Sequence, residues 1–329
     1  MHQIDWKGKL KSLKEGDSMV RHVNQVGEHS FSFNRYLDPI ARVKCGEIIE
    51  FNTEDCFKGL VTNENQLASE TLKGAGYLNP QTGPFFIEGA MPGDTLAVHI
   101  LDIQPLRDWV ISCIQKPLGG LTPNKYTRML NEPLHEKNWI YHLDKDNMWT
   151  CDTNAKLSFP YEPFLGTAAT ADDLEVISSL TPTDHGGNMD TPDTRPGNII
   201  YLPVSVEGAY FFTGDVHAKQ GQGELCGVAL ELAARVTLKF DIIKGKQIKW
   251  PRIESPEEIM IVGSARPMED AARIAYAELI EWMTELGWDR LDAYQALTQD
   301  GKLYCANMVD TNYSMVAKVS KKLAYAYQT

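Results

Sequence analysis

The chain is predicted to be mainly β: an antiparallel sandwich or barrel-like architecture with a small C-terminal α/β portion. Three observations predict this. From Val228 to Ile242 apolar residues alternate strictly, with Val228, Leu230, Leu232, Ala234, Val236, Leu238, Phe240 and Ile242 on one face. The other face reads Ala229, Glu231, Ala233, Arg235, Thr237, Lys239 and Asp241. Period two marks strand with one buried face, and the length implies one long strand or two joined at a bend near Ala233-Ala234. Second, strands are expected after the glycine turns Cys45-Gly46-Glu47, Pro92-Gly93-Asp94 and Pro196-Gly197-Asn198. In the last two, Pro sets a negative φ and Gly supplies the positive φ of a type II turn. Third, helical spacing is confined to the C-terminal end.

Shorter strands are expected at about 20–26, 47–53, 95–103, 199–206, 209–213 and 258–263. Ala272, Ala275, Leu279, Trp282, Met283 and Leu286 make an apolar helical stripe, with Glu269 and Asp270 at its N-terminal end and Gly287 as its stop. A second short helix is expected from Asp289 to about Leu297. No βαβ alternation and no glycine-rich phosphate loop occurs, which excludes a nucleotide-binding α/β fold. Residues 1–265 are read as a β-rich region and 266–329 as a helical and strand segment packed on it. Within the first, about 108–153 is an excursion, with Trp109, Trp139, Tyr141 and Trp149 among polar residues. Its pattern leaves a subdomain and a lid equally open.

A chain of 329 residues can bury a substantial core. The net charge of −12, with no basic stripe to offset it, excludes nucleic acid as partner. No apolar run approaches the ~20 residues that span a bilayer. Met1 to Lys7 lacks the apolar region of a signal peptide. The six cysteines are scattered without a C-x-x-C pair, the usage of a reduced protein. A cytoplasmic location follows as the expectation, and Cys56 is read as packing.

The densest chemistry lies in Gly214-Asp215-Val216-His217-Ala218-Lys219-Gln220-Gly221-Gln222-Gly223-Glu224, with a second cluster at Asp184-His185-Gly186-Gly187-Asn188-Met189-Asp190. Asp and Asn beside Gly are also ordinary turn chemistry. For His22, His29, His99, His135 and His142 the surface or hydrogen-bonded reading is preferred. The two clusters together favour a functional site, because acid–base and ligating groups converge with glycines that admit close approach. Asp215 and His217, at i and i+2, point the same way in an extended segment, a plausible half of a metal site.

These residues resemble the acetamidase/formamidase family of amide hydrolases. The resemblance rests on Gly187-Asn188-Met189-Asp190-Thr191, Leu202-Pro203-Val204 and Gly214-Asp215-x-His217-Ala218-x-Gln220-Gly221-x-Gly223-Glu224. It extends upstream to Thr82 through Ala90, Pro92-Gly93-Asp94-Thr95-Leu96, and a weaker echo from Cys45 to Asp55. The motifs are collinear with the family and cover most of the chain. Val216 and Gln222 depart from it, standing where Gly and Asp are common.

The resemblance implies hydrolysis of a small primary amide to carboxylate and ammonia. Such a reaction needs an activated water, a stabiliser for the oxyanion and an acid for the leaving nitrogen, and a divalent metal supplies the first two. The expected ligands are Asp215 and His217 with Asp190 and Asp55, and the expected metal is zinc, with calcium second. Glu224 is the expected base, His185 the second choice for proton delivery, and Asn188 the residue orienting the amide. No Gly-x-Ser-x-Gly elbow or Ser-x-x-Lys pair is present. The expected partners are a small amide and further copies of the chain in a homo-oligomer. Two alternatives remain: an amidase-like hydrolase acting on another C–N bond, and a non-enzymatic β-sandwich holding calcium, for which His217 would be an odd ligand.

Overall fold

The computed structural model describes residues 20–74, 77–115, 118–122, 134–154 and 156–328. Met1 to Lys7, on which the signal-peptide expectation rests, lies outside them. Strand accounts for 39% of the chain and helix for 13%, so the mainly β expectation holds, with sheets that do not close into a barrel. A nine-stranded sheet and a ten-stranded sheet carry the fold. One buried cluster draws on both, with Phe51, Val98, Leu238 and Phe240 from the first and Phe85, Leu165 and Phe211 from the second.

The alternating stretch explains how the sheets are joined. Glu231–Leu232 pairs with Phe211–His217 in the ten-stranded sheet, whereas Ala234–Ile243 runs between Ile48–Asn52 and Thr95–Pro105 in the nine-stranded one. The chain changes sheet at Ala233, where the bend was expected. The even positions Val228 to Phe240 are buried throughout. Around Glu231 the odd positions Ala229, Glu231 and Ala233 are buried as well, before Arg235 emerges into solvent.

The segment at 108–153 extends the second sheet. Trp109–Ile114, Lys137–Leu143 and Met148–Cys151 form an antiparallel meander that continues to Ser158–Pro160. Ile111, Cys113 and Ile140 pack with Phe57, Val61 and Val228, which sets this meander beside the candidate site. Residues 123–133 of the excursion lie outside the described residues.

At the C-terminal end Met268–Glu285 buries Ala271, Ala275, Leu279, Trp282 and Met283 against Glu258–Ala265 and Tyr313–Ser320. The approach is close. A Cβ on Gly263 would stand 2.3 Å from the Ala271 carbonyl oxygen. Arg290–Asp300 follows, its N-terminus capped by Asp289, whose side chain accepts from the Leu291 and Asp292 amides. Lys302–Asn307 and Tyr313–Ser320 then complete the edge of the nine-stranded sheet. The loop between them matters for the site.

Candidate active site

Four segments deliver side chains to one buried cavity. Phe211–His217 carries Asp215 and His217, and its register sets His217 directly across from Glu231. Gly186–Asn188 pairs with Phe164–Ala169 and leads into Asp190. The turn after Gly221 brings in Glu224, and the loop after Lys302–Asn307 brings in Asp310. The backbone is strained where the acids sit: Asp190, Asp215 and Glu224 have φ of 46°, 51° and 48°. Positive φ is uncommon for residues other than glycine and persists only where surrounding structure over-determines it. Gly166 shows one source of that constraint. A Cβ there would lie 2.8 Å from Asp190 Oδ1 and 2.9 Å from Asp215 Oδ2.

His217 is held for a defined role. Gln220 donates through Nε2 to the Asp190 and Ala306 carbonyls at 2.8 and 3.0 Å, which turns its Oε1 toward His217 Nδ1 at 2.9 Å. With Nδ1 donating to that oxygen, the lone pair of neutral His217 is on Nε2. There Asp215 Oδ2 stands at 3.4 Å and Glu231 Oε1 at 3.6 Å. His217 Nε2, Asp190 Oδ1 and Glu231 Oε2 are buried with no hydrogen-bond partner among the described residues. Orphaned buried polar atoms are costly unless something else satisfies them. Asp190, Asp215 and His217 form one set of donors within 4.8 Å of one another, His217, Glu224 and Glu231 a second, and Cys56, Asp215 and Glu231 a third. The residues present fit a divalent cation.

The electrostatics agree. Burial, then the Glu224, Asp310 and Asp215 charges, push the Asp190 carboxyl well above the usual carboxylate range. Burial raises Glu224 well above its ordinary value too, against the opposing pull of His217. Burial likewise pushes Glu231 up to about 8 and Asp310 to about 7. On His217 burial acts to lower the pKa, and the Glu231 and Asp215 charges outweigh it, giving about 10, so without a cation the ring is protonated and a cation at Nε2 must displace that proton. This is a cavity with more negative charge than its own side chains can balance, the setting in which a bound cation is stabilising.

The predicted residues divide. Asp190, Asp215, His217 and Glu224 come together. Asn188 reaches the same cavity, but its Nδ2 donates to Asp190 Oδ2 at 3.0 Å and Asp310 Oδ2 at 2.8 Å, while its Oδ1 accepts from Asn79 and Thr167. So engaged, it orients carboxylates instead of an amide. Asp55, expected as a ligand, belongs to none of the donor sets. Its Oδ2 accepts from Arg107 at 2.6 Å and its Oδ1 from the Phe57 and Gly59 amides, so its acceptors are already satisfied. His185, expected to deliver a proton, turns away from the acids. Its Nδ1 meets the Thr183 hydroxyl at 2.8 Å and its ring stacks edge-on with Phe33 at 5.0 Å. Burial holds it down at about 4, which leaves it neutral.

Glu231, Asp310 and Asn307 were missed. Asn307 donates to Asp190 Oδ2 at 2.6 Å and Asp310 Oδ2 at 2.5 Å. Cys56, read as packing, lines the cavity with its sulfur within 4.8 Å of Asp215 and Glu231 carboxylate oxygens. Burial and then the Glu231 and Asp215 charges keep its thiol protonated, which argues against a cysteine nucleophile. Glu231 alone had a signal in the sequence: a carboxylate between Ala229 and Ala233 on a face too apolar to be solvated.

The acetamidase/formamidase family profile matches residues 20–179 and 168–317. The chain belongs to that family. Among its curated relatives are a formamidase of Methylophilus methylotrophus, 29% identical with 71% of this chain and 69% of that one covered, and an acetamidase of Mycolicibacterium smegmatis, 26% identical with 70% and 68% covered. The crystal structure of an acetamidase from Yersinia enterocolitica superposes with a TM-score of 0.89 at 40% identity, over 94% of each chain. That of an acetamidase from Bacillus halodurans gives 0.82 at 29% identity, over 93% of this chain and 99% of that one. The two departures from the family pattern stand apart from the cavity that holds the donors. Val216 is buried in the core between the sheets, and Gln222 is exposed.

Proposed function

We propose that this member of the acetamidase/formamidase family is an amidohydrolase that converts small linear amides to the carboxylate and ammonia. We assign Asp190, Asp215 and His217 as holders of a divalent cation and Glu224 as the base. The observation that carries this reading is that buried His217, its Nε2 unpartnered, shares one donor set with Asp190 and Asp215 and a second with Glu224 and Glu231. A cation bound there lowers the pKa of water toward ~7 and polarises the amide carbonyl. Imidazole among the donors favours zinc over calcium, which prefers six to eight oxygens.

Glu224 suits proton transfer, because it lines the cavity beside Asp215 and Glu231 and burial raises its proton affinity. It takes a proton from the attacking water and passes it to the departing nitrogen. Gln220 fixes the His217 tautomer, while Asn188 and Asn307 hold Asp190 and Asp310 in place. Glu231, across from His217, offers a further carboxylate beside it.

The test is ammonia release from formamide and acetamide by purified protein, before and after chelation, with metal content measured alongside. Stripped protein should lose turnover and regain it with zinc. Full turnover in metal-free protein would overturn the cation assignment. The reading also takes the protein as cytoplasmic, supported by six free cysteines, and as a homo-oligomer. No helix of the described residues is long and apolar enough to cross a membrane. Light scattering after size exclusion measures the subunit number.

A further inference from the structure

The cavity above the acids is larger and more apolar than a one- or two-carbon amide needs. It encloses about 360 Å³, within the ~300–1,000 Å³ range of cavities that enclose drug-sized ligands. Its chemistry is mixed. Asp215, Glu224, Glu231 and Asp310 share the wall with Phe57, Leu78, Leu118, Leu180, Val228 and Val309, and the exposed lining is mainly apolar. Arg266 closes one side, with its guanidinium donating to the Asp310 carbonyl and lying 4.1 Å over the Tyr313 ring.

Formamide has no carbon beyond its carbonyl and acetamide only a methyl. Either would leave those apolar walls facing water, and apolar contact left unmade contributes nothing to transition-state binding. We infer that the preferred substrates are primary amides bearing an uncharged aliphatic or arylalkyl chain of several carbons, with the carboxamide at the acids and the chain along Phe57, Leu118, Leu180 and Val309. This rests on the amidohydrolase reading and refines it. The surplus of buried carboxylates also disfavours a chain ending in its own carboxylate, since like charges repel strongly in an enclosed site.

The experiment is kcat/KM for ammonia release across acetamide, propionamide, butyramide, hexanamide and phenylacetamide, with succinamate as the charged comparison, using the full-length, metal-loaded protein. Each methylene that enters the cavity should raise kcat/KM about fourfold, the effect of ~0.8 kcal/mol per buried CH₂. Succinamate should fall well below butyramide. Leu180→Trp, a change at a position 38% exposed and therefore tolerated by the fold, should flatten the gradient by filling the cavity mouth. Val309→Phe is the second variant for the same purpose. A gradient that is flat or falls with chain length in the unaltered protein overturns the substrate class while leaving the amidase reading intact. Absence of ammonia from every amide overturns both.

Discussion

His217 and His185 invite comparison because both sit in glycine-rich clusters beside acidic and amide residues, and both are buried. Their surroundings could hardly differ more. Around His217 stand Asp215, Glu231 and Glu224, and its pKa is driven to about 10 despite burial. Around His185 stand Phe33 and the Thr183 hydroxyl, and burial lowers it to about 4. A motif supplies the residue type, but the field of its neighbours decides whether an imidazole is held charged among acids or neutral in the core.

The comparison breaks most sharply at Glu224, the proposed base. Glu224→Gln keeps size and polarity but cannot accept a proton, so turnover should fall ~10²–10⁴-fold with bound metal and fold retained. Near-normal turnover with metal in place would transfer the role to Glu231. A smaller effect is expected one step away. Gln220→Leu removes the acceptor that holds the His217 tautomer and should weaken metal affinity ~10–100-fold, read by competition with a chelating dye. Unchanged affinity would mean the strand alone orients the ring.

The smallest effect on catalysis is expected at His185. His185→Phe should leave kcat within about twofold, since the ring meets Phe33 and not the acids. Its signature belongs to stability. The folded pKa of about 4 lies below the unfolded value near 6.5, so the unfolded chain binds the proton first as pH falls. Stability is therefore lost between about pH 6.5 and 4, by up to ~3 kcal/mol from this group. Denaturant unfolding at pH 7 and pH 4.5 should show the wild type losing that much more than the variant. Equal losses would mean that the ring becomes charged without leaving the fold.

Much of the architecture was legible locally. The Val228–Ile242 alternation placed a strand, a bend and a buried face, because burial on one side of a pleat imposes period two. The helix at Met268–Glu285 followed from its stripe and its acidic first turn. Asp190, Asp215, His217 and Glu224 were legible too, for they lie in short segments dense in acids and glycine. Less was legible wherever a contact spans distant parts of the chain. Asp55 carries no mark that Arg107, fifty-two positions away, will bind its carboxylate. Asp310 and Asn307 stand more than a hundred residues from Asp190, in a turn with nothing else unusual about it.

The sequence by itself determined the class of structure, the family and the chemical vocabulary of the site, since periodicity and motif density act over a few residues at a time. Only the tertiary structure decided which acids share one cavity, that Glu231 faces His217, and that Gly166 must lack a side chain beneath Asp190 and Asp215. The reason is physical. Burial and Coulombic coupling depend on distance in space, and strand register across two sheets brings together carboxylates that the chain keeps far apart.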